Sequence, residues 1–189
     1  MIVYVSTTPR PTEQYFQLFV LGPNHTIADY FPEDNPKLFV GNLLRWYLGV
    51  TSTMSTVQLV SIRIKLGNQT IEPPNSTLGL ESPAPSVMQL EKIIQNNETW
   101  QTPFSWSVTN ATTTAAGSVR ILSLQINNET YQISDWSATS GYNFRIIFEL
   151  WTWQSDNNAF EFGWNSNSQH QVAWLQVWFN MTAGSNTVK

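Results

Sequence analysis

The stretch Gln171-Val-Ala-Trp-Leu-Gln-Val-Trp-Phe-Asn-Met181 decides the fold, because its apolar side chains alternate with a period of two. In an extended strand, successive side chains point to opposite faces. One face would carry Ala173, Leu175, Val177, Phe179 and Met181. Asn180, on the other face, begins the triplet Asn-Met-Thr, an acceptor for N-linked glycosylation. A glycan cannot enter a protein core, so we predict that the odd positions point inward and that Trp174 and Trp178 lie on the outer face.

The same period recurs in other long apolar runs of the chain. It is found in Tyr15–Leu21, Leu43–Val50, Val57–Leu66 and Asn143–Trp153, whereas Met88–Gln95 fits a short helix and a strand equally well. Such runs are typical of half-buried strands in antiparallel sheets. The run Asn143–Trp153 has an inward face that we expect to meet that of Gln171–Met181: Phe144, Ile146, Phe148 and Leu150. The pattern predicts an all-β protein, a two-sheet antiparallel β-sandwich of the immunoglobulin-like class with seven to nine strands.

Asparagine-rich turns and proline-rich loops separate these runs. Asn96–Thr99 and Asn127–Thr130 are near-copies of Asn-Asn-Glu-Thr, and Asn tolerates a positive φ, so we predict two hairpin tips. The competing interpretation is a coincidence in an Asn-rich chain. Loops are expected at Pro23–Pro36, Pro73–Pro85 and Thr109–Gly117. The predicted organisation is a linker or juxtamembrane stump at residues 1–10, one β-sandwich domain at 11–182, and a flexible tail at 183–189.

Seven Asn-x-Thr triplets point to a glycosylated surface. The chain contains 17 Asn and 20 Thr among 189 residues, from which chance would give only about two such triplets. The candidate acceptors are Asn24, Asn68, Asn75, Asn97, Asn110, Asn128 and Asn180. Because N-linked glycans are found on secreted and surface proteins, this excess predicts an extracellular location.

The composition narrows the class of protein further. Charged residues make up 12% of the chain, with a net charge of −4 and a pI near 5.0, which argues against a nucleic-acid partner. The chain has no cysteine, which favours an archaeal exterior, although many extracellular β-domains of this size also lack disulfides. No run reaches the ~18 apolar residues that span a bilayer. Met1–Val5 lacks the features of a signal peptide and fits either the end of a membrane helix or a first strand.

One part of the chain resembles a known archaeal membrane-protein family. The resemblance is carried by Tyr15–Tyr30 (Tyr-Phe-Gln-Leu-Phe-Val-Leu-Gly-Pro-Asn-His-Thr-Ile-Ala-Asp-Tyr), Leu38–Gly41 and Tyr47–Val50, and more weakly by Val3–Pro11, Asn97–Phe104 and Phe144–Leu150. The family is known as domain of unknown function 1616. Its members typically read Phe-x-x-Phe-Tyr-x-Leu-Gly-Pro, then Ala-x-Asp-Tyr, then a Val-Gly step into a strand.

This resemblance implies an extracytoplasmic β-domain that follows one or more membrane helices, and it favours the helix interpretation of Met1–Val5. It implies no catalytic residue. Two departures stand out: Thr51–Thr56 replaces the family's usual Asn-His-Glu-type turn, and the Trp- and Asn-rich stretch after Trp153 has no counterpart.

Few residues suggest catalysis or metal binding. His25 and His170 lack a second ligand at metal-binding spacing. Oxygen ligands between Asp29 and Asn35 suit calcium, but their spacing fits no EF-hand and such residues also favour turns. There is no nucleophile elbow. Glu149 and Glu161 are the carboxylates most suggestive of a glycosidase, but Glu149 is better explained as an outward strand residue near Arg145. We expect no enzyme, cofactor or metal.

Five tryptophans near the carboxyl end form the second candidate site. They are Trp151, Trp153, Trp164, Trp174 and Trp178. Exposed, these rings would contact a carbohydrate or a protein; otherwise loops, a neighbouring subunit or the chain's own glycans cover them. The sequence thus favours a glycosylated, membrane-anchored archaeal surface domain with a structural or interaction role and a protein or surface glycan as partner. The alternatives are a carbohydrate-binding module and an assembly subunit of a surface layer or filament, which would be a homo-oligomer.

Overall fold

The computed structural model describes residues 13–166 and 168–185. The expected stump at residues 1–10 therefore lies outside the described residues. Strands account for 64% of the chain and helix for 2%, the helix being one 3₁₀ turn at Pro32–Asp34. The strands are β1 (Phe16–Leu21), β2 (Lys37–Val40), β3 (Leu44–Ser52), β4 (Gln58–Asn68), β5 (Ser86–Ile94), β6 (Thr99–Thr113), β7 (Ser118–Ile126), β8 (Glu129–Thr139), β9 (Phe144–Gln154), β10 (Ala159–Phe162), β11 (Trp164–Ser166), β12 (Gln169–Gln171) and β13 (Trp174–Ser185).

Two main sheets pack face to face as the predicted immunoglobulin-like β-sandwich. The five-stranded sheet has the order β1-β3-β6-β7-β8. The six-stranded sheet has the order β2-β13-β9-β4-β5, with β10 added alongside β9, and β11 and β12 form a separate ribbon. One pairing departs from the antiparallel prediction, because β2 runs parallel to β13. Between β1 and β2 the chain crosses from the five-stranded sheet to the edge of the six-stranded sheet, where β2 runs in the same direction as β13.

The inward faces predicted from the period of two are buried. In the five-stranded sheet they come from two neighbouring strands: Phe16, Leu18 and Val20 of β1, and Leu44, Trp46, Leu48 and Val50 of β3. In the six-stranded sheet they are Val60, Ile62, Ile64 and Leu66 of β4, and Phe144, Ile146, Phe148 and Leu150 of β9. In β13, Phe179 and Met181 are buried, while Leu175 and Val177 are partly buried against the core. The odd positions of β13 therefore point inward, as the outward position of Asn180 predicts.

Aromatic rings fill the centre of the sandwich. Trp46 contacts Trp106 at 5.2 Å between ring centroids, and Phe104 meets Phe148 edge-on at 5.5 Å. Buried indole N–H groups need acceptors, and Trp46 Nε1 donates to the Tyr30 carbonyl at 2.7 Å. Large rings in edge-on contact therefore fill the space between the sheets without a disulfide.

Strand β9 differs from its prediction because it is buried on both faces. Arg145, Ile147, Glu149 and Trp151, which point away from the sandwich interior, are each at most 6% exposed. The loop between β4 and β5 lies over them, and Phe162 of β10, which pairs edge to edge with β9, packs against Trp151. Glu149 is an outward residue as expected, but it is covered, and its ionic partner is Lys65 instead of Arg145.

Of the two predicted hairpin tips, one is confirmed and the other is wrong. Asn127 and Asn128 have φ of 48° and 72° and join β7 to β8 in a two-residue hairpin, as predicted. Asn96–Thr99 is not a hairpin tip, because β5 pairs with β4 whereas β6 pairs with β3 and β7. This turn instead carries the chain between the sheets.

Three other segments are strands because each pairs with a neighbouring strand, although their sequence did not predict a strand with those bounds. The Thr/Ala segment predicted as a loop at Thr109–Gly117 is strand as far as Thr113, because β6 pairs there with β7. The ambiguous Met88–Gln95 run is strand, in β5. Strand β13 continues to Ser185, beyond the predicted domain end at 182, since it pairs there with β2. No helix of the described chain has the length and hydropathy to cross a membrane.

Candidate functional site

None of the seven candidate glycosylation asparagines is buried. Five are exposed and two, Asn68 and Asn180, are half-buried. Asn24, Asn75, Asn97 and Asn128 lie in turns or loops, whereas Asn68, Asn110 and Asn180 lie in strands. An acceptor must present its side-chain nitrogen to solvent, and burial alone excludes none of these seven sites.

The amide groups of the two half-buried asparagines differ in how they are engaged. Asn68 Nδ2 donates to the Ser137 carbonyl at 2.7 Å, while its Oδ1 accepts bonds from Thr70 and Ile71. In Asn180, Oδ1 accepts the backbone N–H of Asn143 at 3.0 Å, and Nδ2 makes no hydrogen bond to any described residue. Asn68 thus has a structural role, and Asn180 keeps its reactive nitrogen available.

Trp164 is a core residue, which corrects its assignment as a contact tryptophan. Its side chain is 6% exposed and meets the ring of Phe16 edge-on at 5.2 Å between centroids. The short ribbon of β11 and β12 turns this residue towards the end of β1. An apolar ring at that end closes the sandwich.

Trp151 is also covered, and Trp153 is only partly accessible. The Trp151 ring lies between Phe162 of β10 and the guanidinium of Arg63, whose central carbon is 3.4 Å from the ring centroid. Trp153 packs edge-on against Phe160, also of β10, at 5.2 Å. The insertion after Trp153 therefore pairs with the end of β9 and its rings cover Trp151 and Trp153, so the five rings do not form one open platform, which was the alternative to covered rings.

The last two tryptophans lie on the outer face of β13, as predicted. Trp174 is half-buried and its Nε1 donates to Ser76 Oγ at 2.9 Å, so the loop between β4 and β5 reaches this ring. Trp178 is 38% exposed and stacks against the guanidinium of Arg145, with 4.8 Å between the central carbon and the ring centroid. Trp178 is thus the most accessible ring of the candidate group.

An open apolar groove of about 470 Å³ adjoins Trp178. It lies between β1 and the first half of β13, which pairs only with β9 there, because β2 begins its pairing at Asn180. The residues lining it are Leu18, Phe19, Val20, Ile27, Tyr30, Leu175, Gln176, Val177 and Trp178. Ile27 is 82% exposed at its rim. Neither strand edge has a partner on this side within the described chain.

A buried ionic cluster, which the sequence analysis missed, lies under the loop between β4 and β5. Lys65 Nζ contacts Glu149 at 3.0 Å and also contacts the carboxylate of Glu81. Glu149 accepts the Ser82 backbone N–H at 2.8 Å and the Trp151 Nε1–H at 3.0 Å. The available signal was the apolar character of Ile147 and Trp151, which indicates burial on both faces of β9. This cluster attaches the loop to the sheet.

Nothing in the described residues assembles a metal or catalytic centre. No group of three or more His, Cys, Asp or Glu side chains in those residues could hold a metal ion. Asp29, Glu33 and Asp34 each have a positive φ near 55° in an exposed loop, and Asn24 donates to Asp29. His25 stacks on Tyr47 with 3.8 Å between centroids, which gives it a packing role. Glu161 is half-buried and accepts a hydrogen bond from Asn157.

No family model matches the chain, and no curated protein matches it. Among solved structures, it is similar over 90% of both chains to the CARDB domain of a Pyrococcus furiosus protein in complex with di-metal ions, at 10% identity and a TM-score of 0.41. It is also similar to the sporulation control protein Spo0M of Bacillus subtilis, at 9% identity and a TM-score of 0.38 over 91% of this chain and 50% of that one.

A third similarity is to a β-glucosidase of Erythrobacter marinus, at 6% identity and a TM-score of 0.40. It covers 89% of this chain but only 16% of the enzyme. At these identities and scores the likenesses give no argument about activity, ligands or partners.

Proposed function

We propose that this chain is the glycosylated outer domain of an archaeal membrane-anchored protein, with a structural or interaction role at the cell surface. In this proposal the full-length protein is a member of the family known as domain of unknown function 1616, and its membrane helices lie outside the chain. The resemblance of Tyr15–Val50 to that family supports the anchoring. The low charge and the absence of cysteine agree with an archaeal exterior.

The observation that carries the proposal is the set of seven Asn-x-Thr triplets, none of which has a buried asparagine. Asparagine is mostly exposed in any fold, so the support comes from the excess of triplets over the roughly two expected by chance, and the exposure agrees with it. Here even the three triplets in strands place their asparagine on an outward position or at a strand end. Burial therefore excludes none of the seven acceptors, and at Asn68 a glycan would have to replace the hydrogen bond from Nδ2 to the Ser137 carbonyl.

One observation favours a second candidate, an assembly subunit of a surface layer or filament. The groove beside Trp178 is apolar and is flanked by two unpaired strand edges in the described part of the chain. Exposed edges readily accept a further strand. The carbohydrate-module alternative has less support, because Trp151 and Trp164 are buried.

The test is expression of the complete gene product in an archaeal host that performs N-glycosylation, followed by site-by-site mass spectrometry. We expect glycans at several of the seven asparagines and recovery of the protein in the membrane fraction. A matched variant with Thr99→Ala should lose the glycan at Asn97 alone, because it destroys one triplet and keeps the asparagine. Seven unmodified asparagines in such a host would contradict the proposal.

A further inference from the structure

Asn180 and Trp178 lie on the same face of β13, two residues apart. Residues i and i+2 of a strand point the same way and are separated by about 7 Å along it. A sugar ring attached to Asn180 is of similar length, so the first sugars of a glycan reach the Trp178 indole without any movement of the backbone. The other sequons that lie in strands, Asn68 and Asn110, have no tryptophan two residues before them.

The Asn180 amide is held in one orientation. Its Oδ1 accepts the Asn143 backbone N–H at 3.0 Å, and Nδ2, the atom that would carry a glycan, makes no hydrogen bond to a described residue. Fixing the oxygen directs the nitrogen away from the turn before β9. A glycan at this site therefore begins from a defined direction, which lowers the entropy lost when the sugar settles on a surface.

The Trp178 ring is prepared on one side and accessible on the other. The Arg145 guanidinium lies against it at 4.8 Å, and Arg145 is itself fixed by Gln176 Oε1 at 2.7 Å and by the Ile71 carbonyl. The remaining 38% exposure leaves part of an indole face in contact with solvent. The C–H groups on one side of a hexose ring are apolar and slightly positive, and they suit the negative face of an indole.

We propose that the glycan on Asn180 folds back onto Trp178 and covers that ring together with the adjoining rim of the groove. This inference rests on the proposed function, since it requires glycosylation. It makes one glycan a packed part of the domain, whereas the glycans at loop sites such as Asn97 and Asn128 extend into solvent. The ligand class is a hexose or hexosamine ring linked to the chain itself.

The experiment uses the full chain from a glycosylating archaeal host and measures quenching of tryptophan fluorescence by acrylamide. Asn180→Gln removes the glycan beside Trp178, and Asn110→Gln is the matched control, because Val108 stands two residues before Asn110 and the nearest tryptophan of its strand, Trp106, is buried. We expect Asn180→Gln to raise the quenchable fraction and Asn110→Gln to leave it unchanged. In a Trp178→Phe background, Asn180→Gln should have no effect.

A second measurement separates packing by the glycan from other roles of the ring. Trp178→Ala should lower the Tm of the glycosylated chain by about 2 to 4 °C more than it lowers the Tm of unglycosylated chain from bacteria, which corresponds to the stacking of one sugar. Equal losses in the two preparations would overturn the inference. Because Trp178→Ala also removes the contact to Arg145, the comparison between preparations cancels that contribution.

The outcomes also distinguish this inference from the proposed function. Glycans at other sites with a bare Asn180 would overturn the inference and leave the proposed function intact, whereas no glycan at any site would overturn both. A glycan on Asn180 that leaves Trp178 as quenchable as in Asn180→Gln would overturn the inference. Shielding of Trp178 that requires a high protein concentration would do so too, because a second copy of the chain would then be the cover.

Discussion

The outer faces of the two sheets are built in different ways. On the five-stranded sheet, outward residues such as Arg45, Tyr47 and Thr51 are exposed or half-buried. On the six-stranded sheet, the outward residues of β4 and β9 are almost all covered, and they include Lys65 and Glu149. The same sandwich thus contains strands with one solvent-exposed face, as in β3, and strands that are buried on both faces, as in β9.

This difference shows how a loop comes to cover the outer face of a sheet, and which interactions the buried charges beneath it require. The loop between β4 and β5 gains its position by providing Glu81 and the Ser82 backbone to charges that it removes from water. Removing charges from water is unfavourable unless each finds partners, and here every member of the pair has at least two. The covered face is therefore sensitive to the loss of any single partner, and the open face is tolerant.

Glu149→Ala should have one of the two largest effects, together with Trp164→Ala. It leaves Lys65 with one fewer partner in a dry site and removes the acceptor of the Ser82 and Trp151 N–H groups, so we expect the free energy of unfolding to fall by about 3 to 5 kcal/mol. Denaturant unfolding checks this value. Arg45→Ala, on the open face, is the matched control and should stay within about 0.5 kcal/mol of the parent.

A double substitution sharpens the same comparison. Replacing Lys65 with Met and Glu149 with Leu removes both charges and fills the site with apolar groups, so it should recover most of the loss. A double variant as unstable as Glu149→Ala would show that the charges themselves, through the loop, determine the stability of this face.

The tryptophans should divide according to their burial. Trp178→Ala in unglycosylated chain should cost about 1 to 2 kcal/mol, from half-buried area and the contact to Arg145. Trp164→Ala, on a ring that is 6% exposed, should cost about 3 to 5 kcal/mol. Thermal unfolding of the two variants tests this order, and a loss as large for Trp178 as for Trp164 would place Trp178 in the core.

Ser82→Ala should give a moderate effect on the covered face. Its hydroxyl donates to the Glu72 carbonyl at 2.7 Å and accepts the Ala84 N–H at 3.2 Å, and the residue is 1% exposed. Losing both bonds should cost about 1 to 2 kcal/mol. Hydrogen exchange should show faster opening of the loop at residues 69–85, and unchanged exchange there would mean that the hydroxyl does not hold the loop.

The smallest effect should come from Phe19→Ala on the open face. Phe19 lies directly opposite Gly49, and its ring covers the position where a glycine lacks a side chain. Cross-strand pairs of this kind contribute about 0.2 to 1 kcal/mol, so urea unfolding should shift only slightly. A loss comparable to that of Glu149→Ala would remove the contrast between the two faces.

The sequence predicted the inward faces of β1, β3, β4, β9 and β13 because alternation reports directly on which side of a strand is apolar. Alternation does not report which strands pair, so the hairpin tip predicted at Asn96–Thr99 is wrong, and the parallel pairing of β2 has no signal in the pattern. Nor does alternation reveal a cover contributed by a distant loop, which is why Glu149 and Trp151 were expected to be more exposed. The exposure of the seven candidate asparagines was easier to predict, because asparagine is a polar residue that is seldom buried.

The position of β13 between β2 and β9 has a consequence for the order of events during synthesis. The six-stranded sheet remains divided until Trp174–Ser185, the last strand of the described chain, has been made and inserted. Pairing between segments so distant in sequence is slow. The six-stranded sheet therefore stays open along one side of β9 until the last described strand has been made.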